Sequence, residues 1–284
     1  MAKKGKGKRI GYVDYQLENF HANTYLKIVR EDLANRGFAV SGCVSMDHES
    51  GREWAKKNDV PYFESAKELN EHVDCYAVLA PGHPEAHLEL CKMGCPFGKT
   101  TYVDKTFAPD LRTAKRIFAL ADKHGVAMQT SSALRYTNVQ EYVGQVGRDH
   151  VRHMVAWGSG RSFGEYAIHP VELMVSCMGA KAQSLMRRGS GAESQLLVNY
   201  AGGRTGVVNV YVNSNTPFAA SVTTEQETKL ITVDGGRIFV DMAAAILDLF
   251  ESGKPNIDRS ESLMIRKILD AAEDSKAAKG FVRI

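Results

Sequence analysis

The regular alternation of short apolar runs and helical segments in the first half of the chain most constrains the fold. Strand-like runs occupy residues 9–13, 38–44, 75–80, 100–103 and 126–129. Helical segments separate them at residues 23–35, 49–58, 66–71, 85–93 and 110–124. Parallel neighbouring strands need such crossover connections. The pattern therefore predicts an α/β domain with a Rossmann-like, doubly wound parallel sheet.

The pattern changes near residue 131. Strand-like runs then follow one another across short turns rich in Gly, Ser and Asn, at residues 151–157, 184–188, 195–200, 206–213, 220–224 and 229–233. Two striped helices close the chain. This order predicts an α+β domain with a mostly antiparallel sheet. We therefore expect a Rossmann-like nucleotide-binding domain at residues 1–130, and a domain for substrate binding and oligomerisation at residues 131–284.

Charge, hydropathy and cysteine usage exclude several classes of protein. The chain has 284 residues, with 36 Lys and Arg against 33 Asp and Glu, and five of the positive charges lie within residues 3–9. A near-neutral body argues against a nucleic-acid-binding surface. No run approaches the roughly 18 apolar residues of a membrane span. Five cysteines without a Cys-x-x-Cys pair are typical of reduced thiols, so we expect a cytoplasmic protein.

Four segments resemble one family in sequence and in order. They are residues 77–87 (AVLAPGHPEAH), residues 98–107 (GKTTYVDKTF), residues 165–173 (EYAIHPVEL) and the two closing helices from residue 242. Together they resemble the Gfo/Idh/MocA group of sugar and polyol oxidoreductases. Within the second segment, Asp104 and Thr106 stand where the family signature has Glu and Pro.

The resemblance implies catalytic roles for Lys105, His169 and Glu165. Lys105 follows a strand of the parallel sheet, at the edge where ligands bind. A histidine titrates near neutral pH and can exchange a proton with an alcohol, while a carboxylate fixes its tautomer. Helical periodicity places Glu165, His169 and Glu172 on one polar face, although Pro170 also allows the helix to start at His169. The expected substrate-binding residues are Glu172, Arg135, Tyr136 and His87.

The first turn departs from the dinucleotide-binding fingerprint. Asp14, Gln16 and Asn19 occupy the three glycine positions of Gly-x-Gly-x-x-Gly. The resemblance still implies NAD or NADP as cofactor, with binding residues Asp14, Asp47, Pro81, His83 and Asp104. Because a carboxylate repels phosphate, we expect the affinity to be weak. His83 and His87 share a helical spacing but supply too few ligands for a metal site, so no metal is expected.

The leading hypothesis is an oxidoreductase that acts on a sugar, polyol or related hydroxy compound with hydride exchange to NAD(P). Two alternatives stay open: a lyase or hydrolase on the same fold, with or without a metal, and a non-enzymatic sugar-binding or scaffold protein. Val208, Val210 and Val212 alternate along one strand and predict an apolar face that needs a partner. We therefore expect a homodimer or homotetramer joined through the second domain.

Overall fold

The computed structural model describes residues 8–284 except residue 190, so the basic segment 1–7 lies outside the described residues. The chain forms two compact units. The first comprises the chain up to Ser131 together with Phe239–Ile257, and the second comprises Ser132–Ile238 and Asp258–Ile284. This division differs from the expected one at Phe239–Ile257, which the sequence analysis placed in the second domain.

The first unit contains a five-stranded sheet in the order β2-β1-β3-β4-β5, with every neighbouring pair parallel. Its strands are β1 (Arg9–Asp14), β2 (Ala39–Ser45), β3 (Cys75–Val78), β4 (Thr101–Asp104) and β5 (Met128–Ser131). Its helices are α1 (Phe20–Arg30), α2 (His48–Asn58), α3 (Ala66–Asn70), α4 (His87–Gly94), α5 (Leu111–Lys123) and α9 (Ile238–Ser252), which begins one residue before the boundary. Asn19 and Asp110 cap α1 and α5 through their side chains. The Rossmann-like parallel sheet is thus confirmed.

Helix α9 packs in the first unit because its apolar stripe complements that sheet. Ile246 and Phe250 of α9 line one small apolar pocket together with Tyr12 of β1 and Tyr102 of β4. At the surface, Arg36 forms ion pairs with two carboxylates of α9, at 2.8 Å and 2.9 Å. The order of elements along the chain could not show that α9 packs in the first unit.

The second unit contains a seven-stranded sheet in the order β11-β10-β6-β9-β8-β7-β12. Its strands are β6 (His153–Gly160), β7 (Ala182–Arg188), β8 (Glu193–Tyr200), β9 (Thr205–Val212), β10 (Ala219–Thr223), β11 (Thr228–Thr232) and β12 (Val282–Arg283). Its helices are α6 (Asn138–Val146), α7 (Phe163–Tyr166), α8 (Ile168–Met178) and α10 (Arg259–Glu273). Only β6 and β9 pair in parallel, so the mostly antiparallel α+β fold is confirmed.

The core of the second unit corrects the expectation about the valine stripe of β9. Val208 and Val210 are completely buried, in one cluster with Met174 of α8 and Ile268 of α10. The helices of the same unit therefore cover this side of the sheet, and it needs no partner. Across the described residues, no helix has the length and apolar character needed to cross a membrane.

Candidate functional site

The carboxyl end of β4 presents Lys105 above a buried carboxylate. Asp104 is completely buried and accepts hydrogen bonds from the Tyr102 hydroxyl (3.2 Å) and from the main-chain N–H of Lys105 (2.8 Å). Its other oxygen lies 2.5 Å from Nδ1 of His21, in the first turn of α1. Lys105 itself is half-buried, and its peptide bond to Thr106 is cis. Asp104 therefore anchors the main chain that carries Lys105.

The His21–Asp104 contact decides the charge of this edge. Burial pushes the pKa of Asp104 upward, but the charge and hydrogen bond of His21, aided by Lys105, hold that pKa below its ordinary value. An ionised Asp104 thus lies beneath Lys105. The sequence analysis assigned Asp104 to cofactor binding, but its carboxylate is surrounded by groups of the protein itself.

In the turn that follows β1, the carboxylate of Asp14 accepts hydrogen bonds from donors of the turn itself. Asp14 ends β1, is completely buried, and accepts hydrogen bonds from the N–H of Gln16 (3.1 Å) and the side-chain amide of Asn19 (2.9 Å). Asn19 in turn accepts the N–H of Ala22 at 2.9 Å. Chiefly through burial, against hydrogen bonds from Asn19, Ala80 and Gln16, the pKa of Asp14 is raised to about 6. Donors that a glycine-rich turn offers to a pyrophosphate are already in use here.

Two aromatic rings bridge the neighbouring crevice. In the order β2-β1-β3, the strand order reverses beside β1, which is where doubly wound sheets bind ligands. There the rings of Tyr15 and His83 lie 4.4 Å apart, centroid to centroid, and Pro81 is half-buried in the same loop as His83. The first turn and this bridge do not fit a dinucleotide in the way that a glycine-rich turn does.

Asp47 and His87 have structural partners. The carboxylate of Asp47 caps α2 by accepting the N–H of Ser50 at 3.1 Å. His87 is completely buried, with Nε2 2.6 Å from the carbonyl of Leu79 and Nδ1 3.1 Å from that of Phe107. Burial lowers the pKa of His87. We therefore leave His87 out of the proposed substrate-binding residues.

In the second unit, His169 lies in the first turn of α8. Its Nδ1 is 2.8 Å from the hydroxyl oxygen of Ser132, and the rings of Tyr166 and Phe218 each lie 5.8 Å from the imidazole ring. Glu165 belongs to the preceding short helix α7 and is exposed. The group on Nδ1 is therefore a serine hydroxyl and not the carboxylate of Glu165.

Glu172 and Arg135 form a buried ionic network behind His169. Glu172 accepts hydrogen bonds from the N–H of Ser132 and from Nε of Arg135, both at 2.8 Å. Arg135 also donates to Glu261, which pairs with Arg148, each at 2.6 Å. Burial raises the pKa of Glu172, and the charge and hydrogen bond of Arg135 partly offset this effect.

The prediction that α8 has a polar face is wrong. The helix is buried on all sides from Pro170 to Met178, and Glu172 is enclosed within it. Glu172 and Arg135 pair with each other, and Arg135 pairs with Glu261; the substrate-binding roles of Glu172 and Arg135 stay predictions. Tyr136, the next residue along the chain, is half-buried.

Two residues of these sites escaped the sequence analysis, namely His21 and Ser132. The only sequence signal for either residue was its position beside the end of a strand. His21 follows the cap of a helix that begins at the carboxyl end of β1, and Ser132 directly follows β5. Among the described residues, no group of three or more His, Cys, Asp or Glu side chains could hold a metal ion.

Comparison with known proteins shows which proteins this chain is similar to. Residues 17–132 match the model of an oxidoreductase family with an NAD-binding Rossmann fold. The fold is similar to a probable dehydrogenase from Thermotoga maritima (TM-score 0.78, 15% identity, 97% of this chain and 98% of that one). It is also similar to scyllo-inositol dehydrogenase from Lactobacillus casei with bound NAD(H) and scyllo-inositol (0.81, 12%, 98% and 99%). A third similar structure is myo-inositol 2-dehydrogenase from Lactobacillus plantarum (0.79, 13%, 98% and 100%).

No curated protein matches the sequence significantly. The resemblance to the Gfo/Idh/MocA group is nevertheless confirmed, by the family match over residues 17–132 and by dehydrogenases that share the fold along nearly the whole chain. The first unit thus has a Rossmann fold, and residues 17–132 are similar to that of an oxidoreductase family.

Proposed function

We propose that the protein is an oxidoreductase that acts on the CH–OH group of a sugar, polyol or related hydroxy compound, with NAD or NADP as hydride partner. The observation that carries the proposal is Lys105 at the carboxyl end of β4, anchored by buried Asp104, in a fold shared with dehydrogenases. Two of the similar structures are inositol dehydrogenases, which supports a polyol-like substrate.

The proposal assigns the substrate proton to Lys105 and His169. Asp104 holds the main chain of Lys105, and Ser132 holds one ring nitrogen of His169. A nicotinamide dinucleotide, when bound, supplies a hydride acceptor or donor. The exposed carboxylate of Glu165 and the half-buried Tyr136 are proposed to contact the substrate.

The first turn favours a second candidate function. Asp14 and the Tyr15–His83 bridge occupy the region where a dinucleotide would lie. A protein with Lys105 and His169 but without a dinucleotide could still move protons on a hydroxy compound, as a lyase does. This candidate keeps the same proton-transfer residues and differs only in the cofactor.

Titration with NAD(H) and NADP(H) separates the two candidates. We expect the wild type to bind weakly and Asp14→Gly to bind more tightly, because the variant removes the carboxylate that uses the N–H of Gln16. Glu18→Gly is the matched control, since it removes an exposed acid of the same turn that pairs with Lys57. Tight wild-type binding that Asp14→Gly leaves unchanged would show that the turn is no obstacle. Absence of binding to every variant would favour the lyase.

Substitution of Lys105 and His169 tests the proton-transfer assignment. On a polyol substrate found by screening, Lys105→Ala and His169→Ala should each lower turnover on the order of 10²–10⁴-fold. If both act on one step, the double variant should lose less than the product of the two effects. Unchanged turnover in either variant, with the fold intact by circular dichroism, would contradict the assignment.

We also propose that the protein forms a homodimer or homotetramer through the outer side of the second sheet. The side chains there that alternate with core residues are half-buried and largely apolar: Val155, Trp157, Leu197, Val207 and Tyr211. Light scattering should show an oligomer for the wild type, and Val207→Asp should yield monomers. A monomeric wild type at micromolar concentration would contradict this interface.

A further inference from the structure

Two aromatic rings flank the imidazole of His169 in the second unit. The rings of Tyr166, the last residue of α7, and Phe218, the residue before β10, each lie 5.8 Å from the imidazole ring, centroid to centroid. Their planes are inclined to the imidazole plane by 57° and 69°, so neither ring stacks flat on the imidazole. All three side chains are half-buried. Both aromatic rings therefore keep accessible surface beside His169.

Two glycines of β6 make room for this aromatic pair, Tyr166 and Phe218. A Cβ atom on Gly160 would overlap the ring of Tyr166. A Cβ atom on Gly158 would lie 2.9 Å from Cε1 of Phe218, which is closer than the roughly 3.5–4.0 Å at which carbon atoms pack best. A larger residue at either position would therefore displace one of the two rings. The Gly-Ser-Gly sequence at the end of β6 thus allows both rings to lie against the strand.

The main chain that carries Phe218 is fixed on both sides of the ring. The carbonyl of Phe218 accepts the N–H of Val233 at 2.9 Å. Two residues earlier, the carbonyl of Thr216 accepts the hydroxyl of Ser159, the residue between the two glycines, at 2.8 Å. A ring on a fixed main chain loses little freedom when a ligand binds. The aromatic pair is therefore a preorganised contact surface.

Two accessible aromatic rings beside a polar ring suit a cyclic hydroxy compound. A cyclitol or a pyranose carries hydroxyl groups around its rim and C–H groups on its faces. A C–H face packs on an aromatic ring as apolar surface does, while rim hydroxyls form hydrogen bonds with polar groups of the site. The imidazole of His169 and the hydroxyl of Tyr166 are polar groups of this kind. An open-chain polyol has no continuous C–H face and gains less from the rings.

We propose that Tyr166 and Phe218 bind the C–H face of a cyclitol or a pyranose, and that they determine a preference for cyclic over open-chain hydroxy compounds. This proposal rests on the proposed function, and it narrows the substrate from sugars and polyols in general to compounds with a ring. From the usual strength of aromatic contacts, removal of either ring should weaken the binding of a cyclic compound roughly 2–10-fold.

Binding of neutral probes tests the proposal without turnover. The cyclic probes are scyllo-inositol and methyl β-glucopyranoside, and the open-chain probe is mannitol. Each is titrated by saturation-transfer nuclear magnetic resonance, with and without NAD(H). We expect the wild type to bind both cyclic probes more tightly than mannitol. Tyr166→Leu and Phe218→Leu should each weaken the binding of the cyclic probes and change that of mannitol much less. Tyr166→Phe and Phe218→Tyr keep the rings and are the matched controls.

The same experiment locates the contact on the probe. When the aromatic protons of the protein are irradiated, the ring C–H protons of methyl β-glucopyranoside should receive more saturation than its O-methyl group. Gly160→Ala, which forces the ring of Tyr166 to move, should reduce this transfer as Tyr166→Leu does. Gly164→Ala in α7 is the matched control, because its Cβ would lie 3.5 Å from the nearest atom, Oε1 of Glu273.

Three results would overturn the proposal. They are wild-type binding of mannitol as tight as that of the cyclic probes, failure of both cyclic probes to bind the wild type, and unchanged affinity for the cyclic probes in both Leu variants. The first two need no variant, so they hold even if a variant does not fold. Failure of the proposed function is a different result. Cyclic probes that bind through the two rings but never change the absorbance of NAD(H) would support the aromatic pair and contradict the oxidoreductase.

Discussion

Two aspartates end parallel strands of the same sheet, and their pKa values are shifted in opposite directions. Asp14 closes β1 and Asp104 closes β4, and both are completely buried. The pKa of Asp14 is raised to about 6, mainly by burial. Burial also pushes the pKa of Asp104 upward, but His21 and Lys105 outweigh that effect and the pKa is lowered. The groups beside each carboxylate, and not burial, decide the difference.

The contrast separates two kinds of strand end. At β4, the charge of Asp104 is paired and holds the main chain of Lys105. At β1, the donors that the described residues offer to the carboxylate are neutral, and the carboxylate occupies the turn that a pyrophosphate would use. The end of β4 thus holds a charged carboxylate beneath Lys105, whereas the carboxylate at the end of β1 uses the donors of its own turn.

The largest expected effect comes from removing His21. His21→Ala leaves the buried carboxylate of Asp104 without the side chain that it contacts at 2.5 Å, and breaking a buried pair typically costs about 3–5 kcal/mol of unfolding free energy. The sequence has two tryptophans, so a Trp157→Phe background leaves Trp54 of α2 as the reporter of the first unit. Urea denaturation at pH 7, followed by Trp54 fluorescence, measures the loss.

His21→Asn is the matched control for the hydrogen bond to Asp104. Its amide can replace the Nδ1 donor but carries no charge, so we expect a smaller loss than for His21→Ala. Equal stability of His21→Ala and the parent would mean that His21 does not stabilise Asp104, and the comparison of the two strand ends would fail.

Asp14→Asn should stabilise the protein at neutral pH. The folded-state pKa of about 6 lies above the ordinary value of 3.8, so the folded protein binds this proton more tightly than the unfolded chain. Its contribution to stability is full below pH 4 and is lost as pH rises through 6, a loss of roughly 3 kcal/mol. Asparagine avoids that loss but gives up one acceptor, worth about 1 kcal/mol. We expect a net gain of about 2 kcal/mol at pH 8.

The pH dependence of that gain is the decisive measurement. At pH 4 both side chains are neutral, so Asp14→Asn should be slightly less stable than the parent, and the sign should change between pH 4 and 6. Asp110→Asn provides a contrast, since hydrogen bonds from Thr113 lower the pKa of that half-buried helix cap. A constant difference between Asp14→Asn and the parent from pH 4 to 8 would contradict a raised pKa.

The sequence predicted the fold class well because both sheets are built from locally encoded elements. Alternation of apolar runs and capped helices is visible in any window, so the parallel pairing of the first sheet followed from the need for crossover connections. The position of α9 was not predictable in this way. Its stripe, including Ile246 and Phe250, suits any apolar face, and only packing selects the first unit.

The candidate sites were predicted less completely. Lys105 and His169 follow from motifs, but His21, the partner of Asp104, and Ser132, the partner of His169, lie 83 and 37 residues from those partners in sequence. Glu172 has the spacing of a solvent-facing residue on a helix, yet Arg135 and Glu261 allow its burial. A prediction from helical periodicity assumes that charged residues are exposed to solvent. A residue in a buried ion pair does not meet that assumption.

The smallest expected effect concerns the ring that bridges the crevice beside the closed strand end. Tyr15 is 39% exposed, and its ring contact with His83 should be worth about 0.5–1.5 kcal/mol, so Tyr15→Ala costs little stability. If the Asp14 carboxylate is the main obstacle to a dinucleotide, Tyr15→Ala should change the Kd for NAD(H) by less than about threefold, while Asp14→Gly tightens binding. Tyr15→Phe keeps the ring and serves as the control. A large gain in affinity for Tyr15→Ala, absent in Tyr15→Phe, would instead identify the ring as the barrier and the carboxylate as secondary.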